Sequence, residues 1–330
     1  MKKLLSLAAL VLVQQFADAP AVLAQASAAQ RTKPSPLAPG EIVAAAPKGD
    51  WTAIPASDLL VMDLAADAKG KPRRVVIQLI PPPFSAGWIG NIRKLAAAHW
   101  WDGLSINRVQ DNYVVQWGDA NGDDKTKAKA LPAGLVKVPE SGYSNASVTA
   151  QPFHDPKFGW VNALEDAYGF SQFWHGWPMG RDFLVAPHKV AQNWPVHCYG
   201  MVGVGRDLSP NTGSGAELYV VIGHAPRHLD RNIALVGRVI EGIEFLSSLP
   251  RGHGALGFYD LEQGDERVTI NAIRPDAEVT GLPAYEYLST ESASFAKYAD
   301  ARANRRDPFF IRPAGGADIC NIPVPVRRVK

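Results

Sequence analysis

Short apolar runs separated by turn residues dominate the chain from Asp58 onward. Two β-rich runs in LLVMDLAADAKGKPRRVVIQLI, joined by a polar connection with Gly and Pro, predict a hairpin. GLSINRV and YVVQWG around the turn QDN predict another. Further strand-like runs lie in HCYGMVGVGRD, AELYVVIGHAP, NIALVGRVIEG and ERVTINAIRP. Because these strands do not alternate with helices as in βαβ units, the pattern predicts a mainly β domain, either a closed antiparallel barrel or a sandwich.

Three segments have apolar residues at helical spacing. Ser85 is expected to cap the first, Pro250 to end the short second one, and the third is expected from about Thr290 to Arg305. The residues at this spacing are Trp88, Ile92, Leu95 and His99; Ile243, Leu246 and Leu249; and Phe295, Tyr298 and Ala299. We expect the first two helices to pack on the β domain.

Composition divides the chain into four parts. Residues 1–24 read as a signal peptide and 25–57 as an Ala- and Pro-rich linker. The main domain is expected over 58–280, with a partly ordered insertion at about 120–197 whose aromatic residues we expect to pack on the barrel. A C-terminal extension with one helix follows at 281–330.

The N-terminus predicts export. Lys2 and Lys3 precede an apolar run, Leu4–Val13, and small residues suit cleavage after Ala24 or Ala26. A membrane anchor is the alternative, but this run is well short of the roughly 20 residues that span a bilayer. We therefore expect a periplasmic or secreted protein with no membrane span.

The charge of the chain bears on its partners, and its two cysteines bear on the compartment in which it folds. The formal charge of +2 falls to +1 once residues 1–24, with two lysines and Asp18, are removed, which argues against nucleic acid as a partner. The two cysteines, Cys198 and Cys320, could form a bridge in an oxidising compartment. Export favours the bridge, and two separate buried thiols are the alternative.

No metal or cofactor is expected. The turn DANGDDK resembles half of a calcium loop but lacks the closing glutamate, and the histidines lack the spacing of a zinc motif. The glycines around Gly203 precede no helix that could bind a phosphate. We read them as positions of close backbone approach in a barrel.

The order of these motifs resembles the cyclophilin family of peptidyl-prolyl cis-trans isomerases. The resemblance is carried by INRV with YVVQWGD, then AELYV, HLD and LVGRVIEG, and it covers about Asp58 to Pro275 apart from the insertion. It implies a closed eight-stranded antiparallel barrel capped by two helices. It also implies that the substrates are proline-containing, unfolded or flexible polypeptides, and we expect the protein to act as a monomer.

The resemblance also implies a set of site residues. Arg108 takes the place of the catalytic arginine, and Gln116 that of the first active-site glutamine. The residues expected to bind the proline ring and the peptide are Tyr113, Val114, Gln116, Glu217, Leu218, Tyr219, His228, Leu229, Ile233, Arg206 and Asp207. Glu217 replaces a neutral glutamine of the family, so an ion pair with Arg108 would draw the guanidinium away from the substrate.

The chemistry explains why an arginine would lie beside apolar side chains. Rotation of an X-Pro bond disrupts amide resonance, against a barrier of about 18–20 kcal/mol. At the twisted geometry the nitrogen regains its lone pair, so the Arg108 guanidinium would stabilise this state while an apolar pocket holds the ring. We expect an isomerase of exported proteins. The alternative is a cyclophilin-like module that binds proline peptides, or acts as a chaperone, with little turnover.

Overall fold

The apolar runs fold into a β domain with short helices at its surface. The computed structural model describes residues 35–147, 154–155, 159–160, 164–166, 168–182, 191–260 and 266–329. The expected signal peptide lies outside these ranges. Leu37–Lys330 forms one compact unit. Within the described ranges, no helix is long and apolar enough to cross a bilayer.

The described residues form four α-helices and seventeen strands. The helices are α1 (Pro39–Ala44), α2 (Ala86–Ala97), α3 (Glu244–Ser247) and α4 (Ala293–Ala303). The strands are β1 (Trp51–Ala53), β2 (Leu59–Leu64), β3 (Arg73–Leu79), β4 (Ser105–Val109), β5 (Val114–Gly118), β6 (His154–Asp155), β7 (Gly159–Trp160), β8 (Leu164–Asp166), β9 (Gly169–Trp174), β10 (Trp177–Arg181), β11 (Asn193–Pro195), β12 (Met201–Val204), β13 (Leu218–Val221), β14 (Leu235–Glu241), β15 (Ile270–Pro275), β16 (Tyr285–Leu288) and β17 (Val326–Arg328).

Eight of the strands form an antiparallel barrel. Their order is β15-β2-β3-β14-β12-β13-β5-β4, and the two ends meet where Ser105 forms an isolated bridge with Thr269. Beside this bridge, the amide of Ile106 donates to the carbonyl of Val268 at 2.9 Å. The expected barrel, rather than a sandwich, is therefore confirmed.

The barrel core follows the two-residue period of the strands. Val115 and Trp117 of β5 point inward, opposite Val220 and Leu218 of β13, and all four are buried. Side chains of neighbouring positions, such as Gln116, point to the other face because successive residues of a strand alternate. One hairpin can thus support the core and also present a site on the outer surface.

Helix α2 covers part of this core with three of the four residues that its spacing predicted. Trp88, Ile92 and Leu95 are fully buried, whereas His99 lies beyond the end of the helix and is exposed. Ser85 does not cap the helix through its side chain, contrary to expectation: it lies in the left-handed region at φ 50°, and its hydroxyl donates to the carbonyl of Leu235 at 2.6 Å. The second expected helix is the one-turn α3, with Leu246 buried.

The predicted linker and the predicted insertion both contain more regular secondary structure than the sequence indicated. In the predicted linker, Pro39–Ala44 form helix α1. Strand β1 also lies in this linker and pairs with β16, and its Trp51 belongs to the main apolar core. In the insertion, β8–β11 form a four-stranded sheet. Its described residues Phe173, Trp177 and Met179 belong to the same apolar core as the barrel, consistent with the expected packing.

The C-terminal extension packs on the barrel. Phe295 and Tyr298 of α4, within the predicted helix, are buried in the main core. Cys320 is bonded to Cys198, which precedes β12, and the bridge spans 122 residues of sequence. The structure thus resolves the two cysteine alternatives in favour of the disulfide.

Candidate active site

Three neighbouring strands place the candidate residues in one row on the outer face of the barrel. Arg108 on β4 is paired with Gln116 on β5, and Gln116 is paired with Tyr219 on β13. Directly opposed residues of antiparallel strands project to the same face. A β-bulge between Ile106 and Arg108 sets the register that brings the arginine into this row.

An apolar cluster separate from the barrel core lies next to this row. Its buried floor is formed by Val114, Tyr219 and Val221, and its half-buried rim residues are Tyr113, Leu229 and Ile233. Five of these six residues are those that the family resemblance assigned to proline binding. Val221 was missed, although it lies opposite Val114 in the register. The cluster is apolar and adjoins the guanidinium of Arg108 through Tyr113.

Three acceptors hold the Arg108 guanidinium. Nε donates to the carbonyl of Leu256 at 2.7 Å, Nη1 to Oε1 of Gln116 at 3.3 Å, and Nη2 to Oε1 of Gln110. A guanidinium has five N–H donors, so these acceptors leave one donor on each terminal nitrogen. The group is therefore oriented by the protein and keeps hydrogen-bonding capacity for a ligand.

Two aromatic rings flank the same guanidinium. Its Cζ lies 5.5 Å from the centroid of Tyr113 and 5.4 Å from that of Phe258. Cation–π contacts of this kind stabilise an arginine by about 0.5–2 kcal/mol. Partial burial lowers the pKa of Arg108 from its ordinary value, yet an arginine stays cationic at neutral pH. The site combines a fixed cation with apolar and aromatic walls.

A strained loop supplies one of the three acceptors. Leu256, whose carbonyl receives Arg108 Nε, has φ 56° and an exposed side chain. The left-handed region is costly for a residue with a side chain, and such strain persists only where surrounding structure enforces it. Here the loop is tied down by the Gly252 amide, which donates to Val109, and the Tyr259 amide, which donates to Asn107.

Glu217 points away from Arg108, and both residues lie in described parts of the chain. Its Oε1 accepts the Asp119 amide at 2.8 Å, and it hydrogen-bonds the Gln116 side chain. The ion pair considered from the sequence is therefore absent, because the carboxyl is folded over Gly118, where a Cβ would collide with it. Burial, the largest cause, raises the pKa of Glu217 to about 7.

A cavity of about 730 Å³ opens beside this row. Gln116, Glu217 and Phe258 line it, together with Arg206 and Asp207 from the loop after β12. Arg206 donates through Nε to the carbonyl of Asn232 at 3.0 Å and through Nη1 to that of Asp207 at 2.7 Å. The cavity therefore lies next to Gln116 and Phe258, the two residues of its lining that contact Arg108.

Two other expected site residues differ in their placement. His228 lies at the rim, stacked on Tyr113 with ring centroids 6.3 Å apart. Leu218 does not reach the site: it is 2% exposed, lies opposite Trp117 and packs in the barrel core. The correction follows from strand alternation, because Leu218 lies between two residues, Glu217 and Tyr219, that face outward.

Some residues of the site were not predicted from the sequence. Gln110 had a detectable signal, because it follows Arg108 by two residues and so continues the same face of the hairpin. Leu256 and Phe258 had none, since nearly 150 residues separate them from the arginine. The sequence pattern places Leu256 and Phe258 only between the short helix that ends at Pro250 and the strand in ERVTINAIRP.

Comparisons with known proteins identify the family and the fold of the chain. The family model described as cyclophilin type peptidyl-prolyl cis-trans isomerase/CLD matches residues 88–272, more than half of the chain. The crystal structure of the cyclophilin AquaCyp293 from Hirschia baltica superposes with a TM-score of 0.61 at 17% sequence identity, covering 85% of this chain and 94% of that one. It confirms the fold.

A second solved structure is more distant. It is a cyclophilin type peptidyl-prolyl cis-trans isomerase of Cryptosporidium parvum in the presence of the dipeptide Ala-Pro, with 11% identity and a TM-score of 0.36. The alignment covers 65% of this chain and 98% of that one. No match was found among curated proteins. By the family match, the chain belongs to the cyclophilin-type peptidyl-prolyl cis-trans isomerases.

Proposed function

We propose that this protein accelerates rotation about X-Pro bonds in exported polypeptides. The observation that carries the proposal is the Arg108 guanidinium, which has fixed acceptors and two remaining N–H donors next to the apolar cluster of Tyr113, Val114 and Tyr219. Substrates are unfolded or flexible segments that contain proline. No cofactor is needed for the rotation, because no bond is made or broken.

The two parts of the site act on different halves of the substrate. The apolar cluster holds the pyrrolidine ring, while the residue before proline turns. As the bond twists, the imide nitrogen becomes a hydrogen-bond acceptor, and a donor from Arg108 then stabilises the twisted state more than either planar state. Shortening the exchange time from tens of seconds to milliseconds is a rate gain of about 10⁴–10⁵. It requires the site to lower the activation free energy by roughly 5–7 kcal/mol.

One charge-assisted hydrogen bond contributes only about 1.5–3 kcal/mol. The remainder must come from holding the ring and from excluding water around the donor, which strengthens hydrogen bonds. Phe258 and Tyr113 serve this purpose by covering the guanidinium on two sides. Catalysis thus depends on the cluster and the cation together.

The test is NMR exchange spectroscopy on an Ala-Pro or Phe-Pro peptide. We expect the wild type to accelerate exchange, and Arg108→Ala to lose at least 100-fold in rate while keeping its peptide affinity within a few-fold. Arg93→Ala is the matched control, because Arg93 is exposed on α2 and pairs with Asp58. Peptide binding without acceleration by the wild type would reject catalysis and support a proline-peptide binding module instead.

We also infer that the protein acts outside the cytoplasm. The basic and apolar start of the sequence supports export, and the Cys198–Cys320 bridge is of the kind that persists in oxidising compartments. Mass spectrometry of protein from the periplasm or medium should give a chain starting after residue 24 or 26. A full-length chain confined to the cytoplasm would reject this inference.

A further inference from the structure

A chain of buried polar groups lies behind the apolar cluster, and its histidine and aspartate have no part in the mechanism above. The hydroxyl of Tyr219 is 2.9 Å from Nε2 of His197, and Nδ1 of His197 is 2.8 Å from Oδ1 of Asp230. Their relative exposures are 4%, 1% and 4%. None of these contacts was apparent in the sequence, because His197 lies at the end of the predicted insertion.

The two hydrogen bonds use both nitrogens of the His197 ring. An ionised Asp230 can only accept, so Nδ1 of His197 donates to it, and in a neutral imidazole Nε2 then accepts from the Tyr219 hydroxyl. Asp230 also accepts the backbone amide of His197 at 3.0 Å and Nε of Arg227 at 2.7 Å. With these partners on both sides, the His197 ring has one orientation.

The position of the Tyr219 ring depends on this contact. On its other side the ring lies directly over Gly203, where a Cβ would come within 2.3 Å of it. Moving the ring would leave a buried hydroxyl without its acceptor, and such groups cost about 1–3 kcal/mol. Tyr219 is thus held between a strand backbone and a histidine, and the same ring forms the floor of the apolar cluster.

The C-terminal extension reaches the same network. Cys198, the residue after His197, is bonded to Cys320, and Nη1 of Arg227 lies 3.6 Å from Oδ2 of Asp318. One short segment therefore holds the neighbours of the pair: Cys320 is bonded to the residue after His197, and Asp318 pairs with the arginine that donates to Asp230. Asp318 and Cys320 both lie in the C-terminal extension, outside the eight barrel strands.

We propose that His197 is a positioning residue that sets the Tyr219 ring in the proline pocket through the hydrogen bond to its hydroxyl. Asp230 orients the histidine, and the segment that carries Asp318 and Cys320 supports the pair. This inference rests on the proposed function for its main readout. His197 would thus act on the proline pocket only through the ring of Tyr219.

The test is a double-mutant cycle on the full chain with His197→Leu, Tyr219→Phe and the combination. We expect His197→Leu to lower kcat/KM for an Ala-Pro peptide about tenfold in the wild-type background, the scale of one lost buried hydrogen bond. In the Tyr219→Phe background, the same change should alter kcat/KM less than twofold, because the hydroxyl that needs an acceptor is gone. Equal losses in the two backgrounds would overturn the proposal.

Two controls separate positioning from folding. Tyr298→Phe removes a buried hydroxyl that donates to Pro323 at 2.7 Å away from the pocket, and should lower stability without changing kcat/KM. If His197→Leu does not fold, His197→Phe, which keeps the ring volume and has no acceptor, is used in the same cycle. The Tyr219 hydroxyl proton should give a slowly exchanging NMR signal in the wild type, and the absence of that signal would also reject the hydrogen bond.

The readouts distinguish this inference from the proposed function. If the wild type fails to accelerate exchange, the isomerase proposal fails, and the cycle is measured instead on the Kd of the same peptide. Coupling in Kd between His197→Leu and Tyr219→Phe then supports positioning of the pocket, and additive effects overturn it.

Discussion

Removing the ionisable group at position 217 should make stability less sensitive to pH. The pKa of Glu217 is raised to about 7 from its ordinary value of 4.5, with burial as the main cause. A carboxyl with a raised folded-state pKa contributes its stability below pH 4.5 and loses it as pH rises towards 7. This raised pKa corresponds to a loss of about 3 kcal/mol of stability at pH 8.

The assay is urea unfolding of the wild type and of Glu217→Gln at pH 4.5, 6 and 8. We expect the variant to gain about 2–3 kcal/mol relative to the wild type between pH 4.5 and pH 8, because glutamine does not ionise. The amide oxygen can still accept the Asp119 amide. Glu140→Gln, at an exposed position, is the control and should show no such trend. A difference between wild type and Glu217→Gln that stays constant with pH would refute the reasoning.

Three further outcomes are expected. Replacing Cys198 and Cys320 by serine together should lower the free energy of unfolding by about 5 kcal/mol on the chain-entropy account of a 122-residue loop; an unchanged thermal midpoint would contradict this. Gly203→Ala should push the Tyr219 ring from its place and reduce kcat/KM at least tenfold, and full activity would show that the ring has room to shift. Phe258→Leu should lower kcat/KM about three- to fivefold by removing one cation–π contact, worth about 1 kcal/mol, which peptide exchange rates measure directly.

The strands and the main site could be predicted because their signals are local. INRV and YVVQWG place Arg108 and Gln116 on one face by the two-residue period, and the pairing in the structure agrees. Leu218 is an exception. The family resemblance groups it with Glu217 and Tyr219, but the same two-residue period turns its side chain towards the core.

The rest depends on tertiary contacts with no local signature. Phe258 reaches Arg108 from 150 residues away, and His197 meets Tyr219 only because β12 and β13 are neighbours in the barrel. Likewise, β1 follows a Pro-rich stretch and becomes a strand because β16, more than 200 residues later, supplies its partner. Alternation within one strand cannot reveal which distant segment will lie beside it.

The bridge between Cys198 and Cys320 also bears on the order in which the molecule is completed. A ribosome makes the last barrel strand, β15 (Ile270–Pro275), some 45 residues before Cys320. The barrel can therefore assemble while the segment that braces His197 has not yet been translated. If the protein is exported as proposed, the bridge would form only after Cys320 has reached an oxidising compartment, so the segment that braces His197 would be the last part of the molecule to be fixed.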